Sequence, residues 1–247
     1  MYLALLSLFI VLSAAALLVT LTFVQRKSRP AFRTIPAFQE LRRSIDLSIE
    51  EGRPVHLSLG RGNLLTLQGA PGLAGLSMLR YMAAQTAVGD QPPLITTGEG
   101  SLVILAQDTT QTAFRAAFAE ELYRPLTARL TGLSPFAYAA GALPLIREPQ
   151  ISTHIFLGNL GAESLLLGEA AERQNISFIA ASDDLSAQAG LFALTSHPLI
   201  GEEIFAAGAY LSNYAPHQAS LSVQDVSRWL LIIALLTLPV LKFFGVF

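Results

Sequence analysis

The chain has 247 residues, 52% hydrophobic and only 14% charged, with a net charge of −2 and no cysteine. Soluble globular chains carry roughly 25% charged residues, and two long apolar runs account for part of the shortfall. The missing cysteine excludes structural disulfides, thiolate metal sites and Cys nucleophiles, and the lack of a basic surplus argues against a nucleic-acid surface.

Residues 2–24 hold no charged side chain, and the run stops at Gln25-Arg26-Lys27-Ser28-Arg29. A helix of that length reaches across a hydrocarbon core of about 30 Å. A cleaved signal would need a positive leader and a shorter core. Only Met1 and Tyr2 precede this run, and the small patch Ser13-Ala14-Ala15-Ala16 lies inside it. A retained transmembrane helix over residues 1–25 is therefore expected. Arg26, Lys27, Arg29 and Arg33 follow it, and positive flanks stay on the cytoplasmic side. This orients the amino terminus outward and the central domain inward, and the same residues are placed to meet anionic head groups.

Residues 26–52 read as a basic connector and a helix. Pro30 and Pro36 interrupt the exit from the span. Phe38, Leu41, Ile45 and Ile49 form one stripe of a helix that Gly52 ends. From residue 53 to 198, short strands alternate with helices. The expected strands are 53–60, 93–97, a short one near Arg129-Leu130, 151–157 and 176–181. The helices between them are 71–88, 101–122, 135–147, 162–174 and 185–195, with Ser134 as N-cap and Pro135 in the first turn of the third. Such alternation implies βαβ units and a mostly parallel sheet covered on both faces. The expected fold is a Rossmann-like doubly wound α/β domain of about five strands, order 3-2-1-4-5.

Residues 199–227 leave the repeat. Leu199 to Leu211 is apolar, rich in small residues and expected to be helical, with a break from Asn213 to Pro216. A further helix from Pro216 runs into the second apolar run, Trp229 to Phe247, expected as a transmembrane helix over 228–247. Its uncharged part is only 13 residues, so an interfacial or re-entrant helix is the alternative. Lys242 can snorkel to the far interface, Arg228 and Trp229 mark the near one, and Pro239 is expected to kink the helix.

In an open α/β sheet, ligands bind outside the carboxyl ends of the strands. The candidates there are Gly60, Gly62, Gly98, Gly158, Asn159 and Gly161. Glu163 follows in the first turn of a helix, where its carboxylate already complements the dipole and opposes a phosphate. The first loop reads Gly-x-Gly with Leu65 where a third glycine belongs, and no Walker-type Gly-Lys-Ser/Thr exists. Glu202 and Glu203, adjacent on a helix, diverge by about 100° and cannot act as a paired acid and base. They are candidate contacts for an Arg of a neighbouring chain, with solvated or intrachain-paired carboxylates as the other reading. Gly208, among small residues at 206–209, is a candidate point of close helix approach.

The histidines His56, His154, His197 and His217 lack metal-ligand spacing. His56 and His154 fall in strands and are expected as satisfied core residues. Asp183-Asp184 is expected to cap the helix from Leu185, and no Gly-x-Ser-x-Gly elbow exists. No catalytic residue, metal or cofactor is expected.

Three stretches, Gly52 to Gly60, Gly158 to Ser164 and Ile200 to Leu211, resemble an uncharacterised bacterial membrane-protein family with a domain of unknown function, seen mainly in Chloroflexota-like bacteria. The resemblance covers the chain from about residue 30 to the second span. It implies an anchored bacterial protein and carries over no activity.

Between residues 53 and 227 there are eight Arg, no Lys and fourteen acidic residues. So sparsely charged a surface points to cover by other subunits. The expectation is a non-catalytic subunit in the inner (cytoplasmic) membrane with a cytoplasmic Rossmann-like domain. Its partners are the lipid bilayer and either further copies or other membrane-protein subunits. A tethered ligand-binding or sensory module using the carboxyl-end crevice is the alternative.

Overall fold

A computed structural model describes residues 2–27, 30, 32–212 and 214–243. The chain forms two compact units: one from its two ends, up to Arg33 and from Ser212 onward, and one spanning Thr34–Leu211.

In the first unit, helix α1 (Tyr2–Gln25) packs along a long carboxyl-terminal helix, Ala215–Phe243. Apolar residues stand on every side of α1, so it lacks the single stripe of a helix lying on a soluble core. Both helices are long and apolar enough to cross a membrane, over Ala4–Gln25 and Ala215–Thr237. The Gln25 amide donates to the Ser222 hydroxyl at 2.7 Å, and that hydroxyl donates to the Gln218 carbonyl at 3.3 Å. The long helix continues through Pro239. Arg29, Asn213 and the aromatics Phe244 and Phe247 lie outside the described residues, and of the helix break expected from Asn213 to Pro216 the described part is Tyr214, since the long helix already starts at Ala215.

The second unit opens with α2 (Pro36–Glu51), which starts on proline and ends at Gly52, whose positive φ of 64° lets its N–H reach the last-turn carbonyls. The elements that follow are β1 (Val55–Gly60), α3 (Ala70–Thr86), β2 (Leu94–Thr97), α4 (Gly100–Ala116) and β3 (Ala128–Leu130). Then come α5 (Pro135–Ile146), β4 (Thr153–Asn159), α6 (Glu163–Arg173), β5 (Ser177–Ser182), α7 (Leu185–Leu194), β6 (Pro198–Leu199) and α8 (Ala207–Leu211). The membrane-length helix Ala215–Phe243 is α9. All six strands are parallel, in the order β3-β2-β1-β4-β5-β6. The expected doubly wound order holds, extended by a two-residue sixth strand.

Every residue of β1 is buried, as a central parallel strand requires. One face of the sheet carries Leu57, Leu59, Ile155 and Leu157 under α3, where Gly75 lets the helix come down onto Leu59 and Leu157. On the other, Phe156, Phe178 and Ala180 pack with Tyr138, Leu167 and Leu191 from α5, α6 and α7. The stripe Phe38, Leu41 and Ile45 of α2 is buried. Phe38 stacks on Tyr210 with ring centroids 5.0 Å apart, and the Arg42 guanidinium donates to the Tyr210 carbonyl. The entry and exit of the unit are thereby held together.

Three local expectations change. The helix expected over 101–122 stops at Ala116, because Phe118 turns left-handed at φ 57° and a 3-10 turn, Glu120–Leu122, follows. The segment 199–211 is not one helix. It divides into the end of β6, a 3-10 turn Gly201–Ala206 entered through Gly201 at φ 60°, and the short α8. Ser134 stands at the N-cap of α5 with extended backbone, but its hydroxyl makes no capping bond.

Candidate functional site

The strand order reverses between β1 and β4, so the crevice that a doubly wound sheet offers to ligands lies over the carboxyl ends of those two strands. Here the strand ends are tied to one another. The Arg61 N–H donates to the Asn159 carbonyl and the Gly98 N–H to the Gly60 carbonyl, each at 2.9 Å. Gly60 takes φ 70°, and a Cβ on it would run into the Asn159 backbone. A Cβ on Gly158 would meet the Leu59 carbonyl, one on Gly62 the Gln68 carbonyl, and one on Gly98 the Gly132 carbonyl and the Arg61 stem. These four glycines let neighbouring loops touch.

Glu163 stands in the first turn of α6, where its carboxylate complements the helix dipole. Its side chain is 3% exposed, Arg61 at 19% exposed donates to it through Nε at 2.7 Å, and Gly161 lies against it. Charge at that end is thus already neutralised by the chain's own residues. The Asn159 amide donates to Asp183 Oδ1 at 2.9 Å. Asp184 caps α7 as expected: its carboxylate accepts from the Ser186 hydroxyl and the Ala187 N–H, and these bonds hold it below the usual carboxylate range.

On the segments that follow the strands' carboxyl ends, large apolar side chains stand in solvent. Leu65 is 94% and Leu67 93% exposed on the loop after β1, and Leu185 is 81% exposed at the start of α7. Leu133 and Phe136, between β3 and the first turn of α5, and Ile200 after β6 are exposed as well.

Beneath the crevice, on the α5 face, lies a wholly buried polar cluster that the sequence did not reveal as a unit. His56 and His154 pair across the β1–β4 ladder with Nδ1 atoms 3.1 Å apart. The other His56 nitrogen meets Thr96 Oγ1 at 2.9 Å, and Thr96 reaches the Tyr138 hydroxyl at 3.3 Å, which also bonds Ser58. Burial lowers His56 well below the ordinary histidine value, and the neighbouring His154 adds to this. Burial brings His154 down to about 4, with the Ile146 backbone acting the other way. Burial also raises the Tyr138 phenol, against its bonds to Ser58 and Thr96. Both rings are therefore neutral near pH 7, and one proton serves the Nδ1–Nδ1 contact. His154 Nε2 makes no full hydrogen bond, with the Ile146 backbone as the further polar contact of that ring, so His154 is less completely satisfied than His56. The available signal was parity: His56 and Ser58 share one face of an otherwise apolar strand.

At the opposite end of the sheet, a cavity of about 610 Å³ opens beside Pro54, Leu94 and Tyr123, with Arg124 and Arg129 on its wall. Burial, followed by the charge of Asp108, raises the Tyr123 phenol.

The remaining candidates are scattered. Glu202 is exposed, and Glu203 accepts from the Ile200 N–H at 3.0 Å, closing the 3-10 turn. Three residues per turn separate the two carboxylates by about 120°, so they point apart as expected. Gly208 is buried in α8. In the first unit, Arg26 lies over the Phe23 ring at 5.4 Å, while Lys27 and Arg33 are exposed. Among the described residues, no three His, Asp or Glu side chains gather with metal-binding geometry.

A family model described as Domain of unknown function (DUF6754) matches residues 2–247. No curated protein and no solved structure matches the chain.

Proposed function

This chain belongs to the DUF6754 family, a domain of unknown function, and we propose that it serves as a non-catalytic, membrane-anchored assembly subunit. In this reading the helices α1 and α9 cross the inner membrane, and Arg26, Lys27 and Arg33 keep the α/β unit on the cytoplasmic side. The observation that carries the reading is the carboxyl end of the sheet. At the strand ends Arg61 is committed to Glu163 and backbone packs against glycine, while Leu65, Leu67, Leu133, Phe136 and Leu185 stand in solvent on the segments that follow. Exposed apolar side chains of this size mark interaction surfaces, and Val88, Phe118 and Leu126 extend them to the amino end of the sheet. A ligand site would instead show an open, mostly apolar pocket with a few converging polar groups.

Native mass spectrometry of the protein extracted in mild detergent tests this. Assemblies larger than one chain, either of copies or with other membrane subunits, are expected; a strict monomer, also after cross-linking in intact membranes, overturns the reading. The second reading, a tethered ligand-binding module, draws its support from the amino-end cavity, whose volume lies within the usual range for small-molecule sites. Small-molecule density beside Arg124 and Arg129 in a cryo-EM map would favour it.

A further inference from the structure

We infer that the cavity at the amino ends of β1, β2 and β3 binds a small organic oxyanion, an apolar body carrying a phosphate or carboxylate group. This rests on the second reading above, a tethered ligand-binding module, and adds the class of the ligand. Open α/β sheets usually hold ligands at the carboxyl ends of their strands. In this chain those ends are tied together through Arg61, Gly98 and Asn159, and a cavity opens at the other end.

Pro54 stands just before β1, Pro92 and Leu94 at the entry to β2, and Thr127 and Arg129 on the edge strand β3 and its approach. The connector from α4 supplies the remaining wall through the 3-10 turns Glu120–Leu122 and Pro125–Thr127. Gln107 of α4 donates to the Pro125 carbonyl at 3.1 Å, and the Arg124 carbonyl accepts from the Thr127 hydroxyl at 2.8 Å. Proline fixes φ at three points of this lining. A wall held in place before binding loses little entropy when the ligand arrives. The volume of about 610 Å³ suits a small molecule.

The polar groups left over in the cavity are donors. Among the described residues, the Arg124 guanidinium has no hydrogen-bond or ion-pair partner. Arg129 donates through Nε to the Leu126 carbonyl at 2.9 Å, which leaves its two terminal nitrogens uncommitted. The side-chain amides of Gln91 and Gln150 also make no hydrogen bond among the described residues. Burial, followed by the charge of Asp108, raises the Tyr123 phenol, so it stays a donor near pH 7. Asp90, exposed, is the one acidic side chain among the described residues of the wall, and it pairs with neither arginine. Neighbouring charges are already committed: Arg53 to Glu51 and to the carbonyls of Pro149, Gln150 and Ile151, and Arg115 to Glu120. The wall thus carries two positive charges against one negative.

That balance selects the ligand. The terminal edge of a guanidinium matches two oxygens of a carboxylate or phosphate. A cation is repelled by Arg124 and Arg129, and a purely apolar molecule leaves the donors without acceptors. Pro54, Pro92 and Leu94 offer the apolar surface against which the body of the ligand lies.

The test uses the full chain in nanodiscs of zwitterionic lipid, with empty nanodiscs as the blank. Fluorine NMR follows 4-fluorophenyl phosphate, 4-fluorobenzoate and the neutral 4-fluorobenzyl alcohol. At least one of the two anions is expected to bind about tenfold or more tightly than the alcohol, and to weaken as salt rises. Arg124→Gln with Arg129→Gln is expected to weaken that anion about tenfold or more, and Arg124→Gln alone about threefold or more. Arg124 is exposed and its side chain holds no other group, so the single variant keeps the thermal midpoint of the parent chain. Asp90→Asn is expected to tighten binding. Neither anion surpassing the alcohol, or unchanged binding in the double variant, overturns the inference. Nanodiscs containing phosphatidylglycerol identify the source of the oxyanion at about 0.15 M salt, where charge is screened beyond about 8 Å. Displacement of the probe there assigns the site to a lipid head group, and unchanged affinity assigns it to a soluble ligand. If neither anion binds while a cryo-EM map shows a neutral or cationic molecule in the cavity, the ligand class fails and the ligand-binding reading stands. If neither anion binds and the cavity is empty, both fail.

Discussion

His56 and His154 share one proton across the β1–β4 ladder, and burial keeps a second proton off the pair. An unfolded histidine titrates near 6.5, whereas His154 in the fold titrates at about 4 and His56 also lies well below its ordinary value. Between pH 6.5 and 4 the unfolded chain therefore binds protons that the folded chain refuses. Stability is complete above pH 6.5 and falls as pH drops toward 4, with His154 alone accounting for about 3 kcal/mol at the end of that window. Thermal unfolding of the full chain in detergent at pH 7.5 and 4.5 should show the lower midpoint in acid. His154→Leu should flatten the dependence, and an unchanged slope in that variant would refute the assignment. At the carboxyl end, Arg61→Ala strands the buried Glu163 carboxylate and should cost about 3 kcal/mol, as breaking a buried pair does. Replacing both, Arg61→Met with Glu163→Leu, should recover most of that loss in urea unfolding. If the double variant is as unstable as the single one, the pair is not the reason.

The strands and helices were legible in the sequence because each βα step carries its own punctuation: proline or glycine at the strand ends, and apolar stripes at helical spacing between. What escaped was short or tertiary. β6 is two residues, Pro198 and Leu199, too few for any alternation to register. The left-handed turn at Phe118 has no glycine to announce it. The strand-end glycines could be located from sequence, but what lies over them could not. Gly60 and Gly158 face backbone of the neighbouring strand, and only the β1–β4 pairing, joining residues about a hundred apart, brings that backbone there. Gly158→Ala should consequently destabilise by about 1–3 kcal/mol through overpacking. Gly100→Ala, with nothing within 4 Å of its new Cβ at the start of α4, should be neutral or stabilise by up to about 1 kcal/mol. Urea unfolding of the two variants side by side separates these outcomes, and equal effects would mean that the Leu59 contact is not what makes Gly158 necessary.

For the molecule as a whole, composition announced two apolar runs of membrane-spanning length and a sparsely charged remainder, and topology shows how those charges are distributed. Arg53, Arg115, Arg124, Arg147 and Arg173 lie toward the amino ends of the strands, while Arg61 follows the carboxyl end of β1 and Arg42, in the first half of α2, bonds Tyr210 of α8. The asymmetry was invisible along the chain because every βα step alternates between the two ends. The two chain ends of the α/β unit are also joined, Phe38 against Tyr210 and Arg42 on the Tyr210 carbonyl. A segment whose entry and exit already meet can be inserted into a longer chain at little cost in loop entropy. The sheet is therefore a portable cassette. Its entry and exit, joined through α2 and α8, give such a cassette one point of attachment to whatever helices flank it.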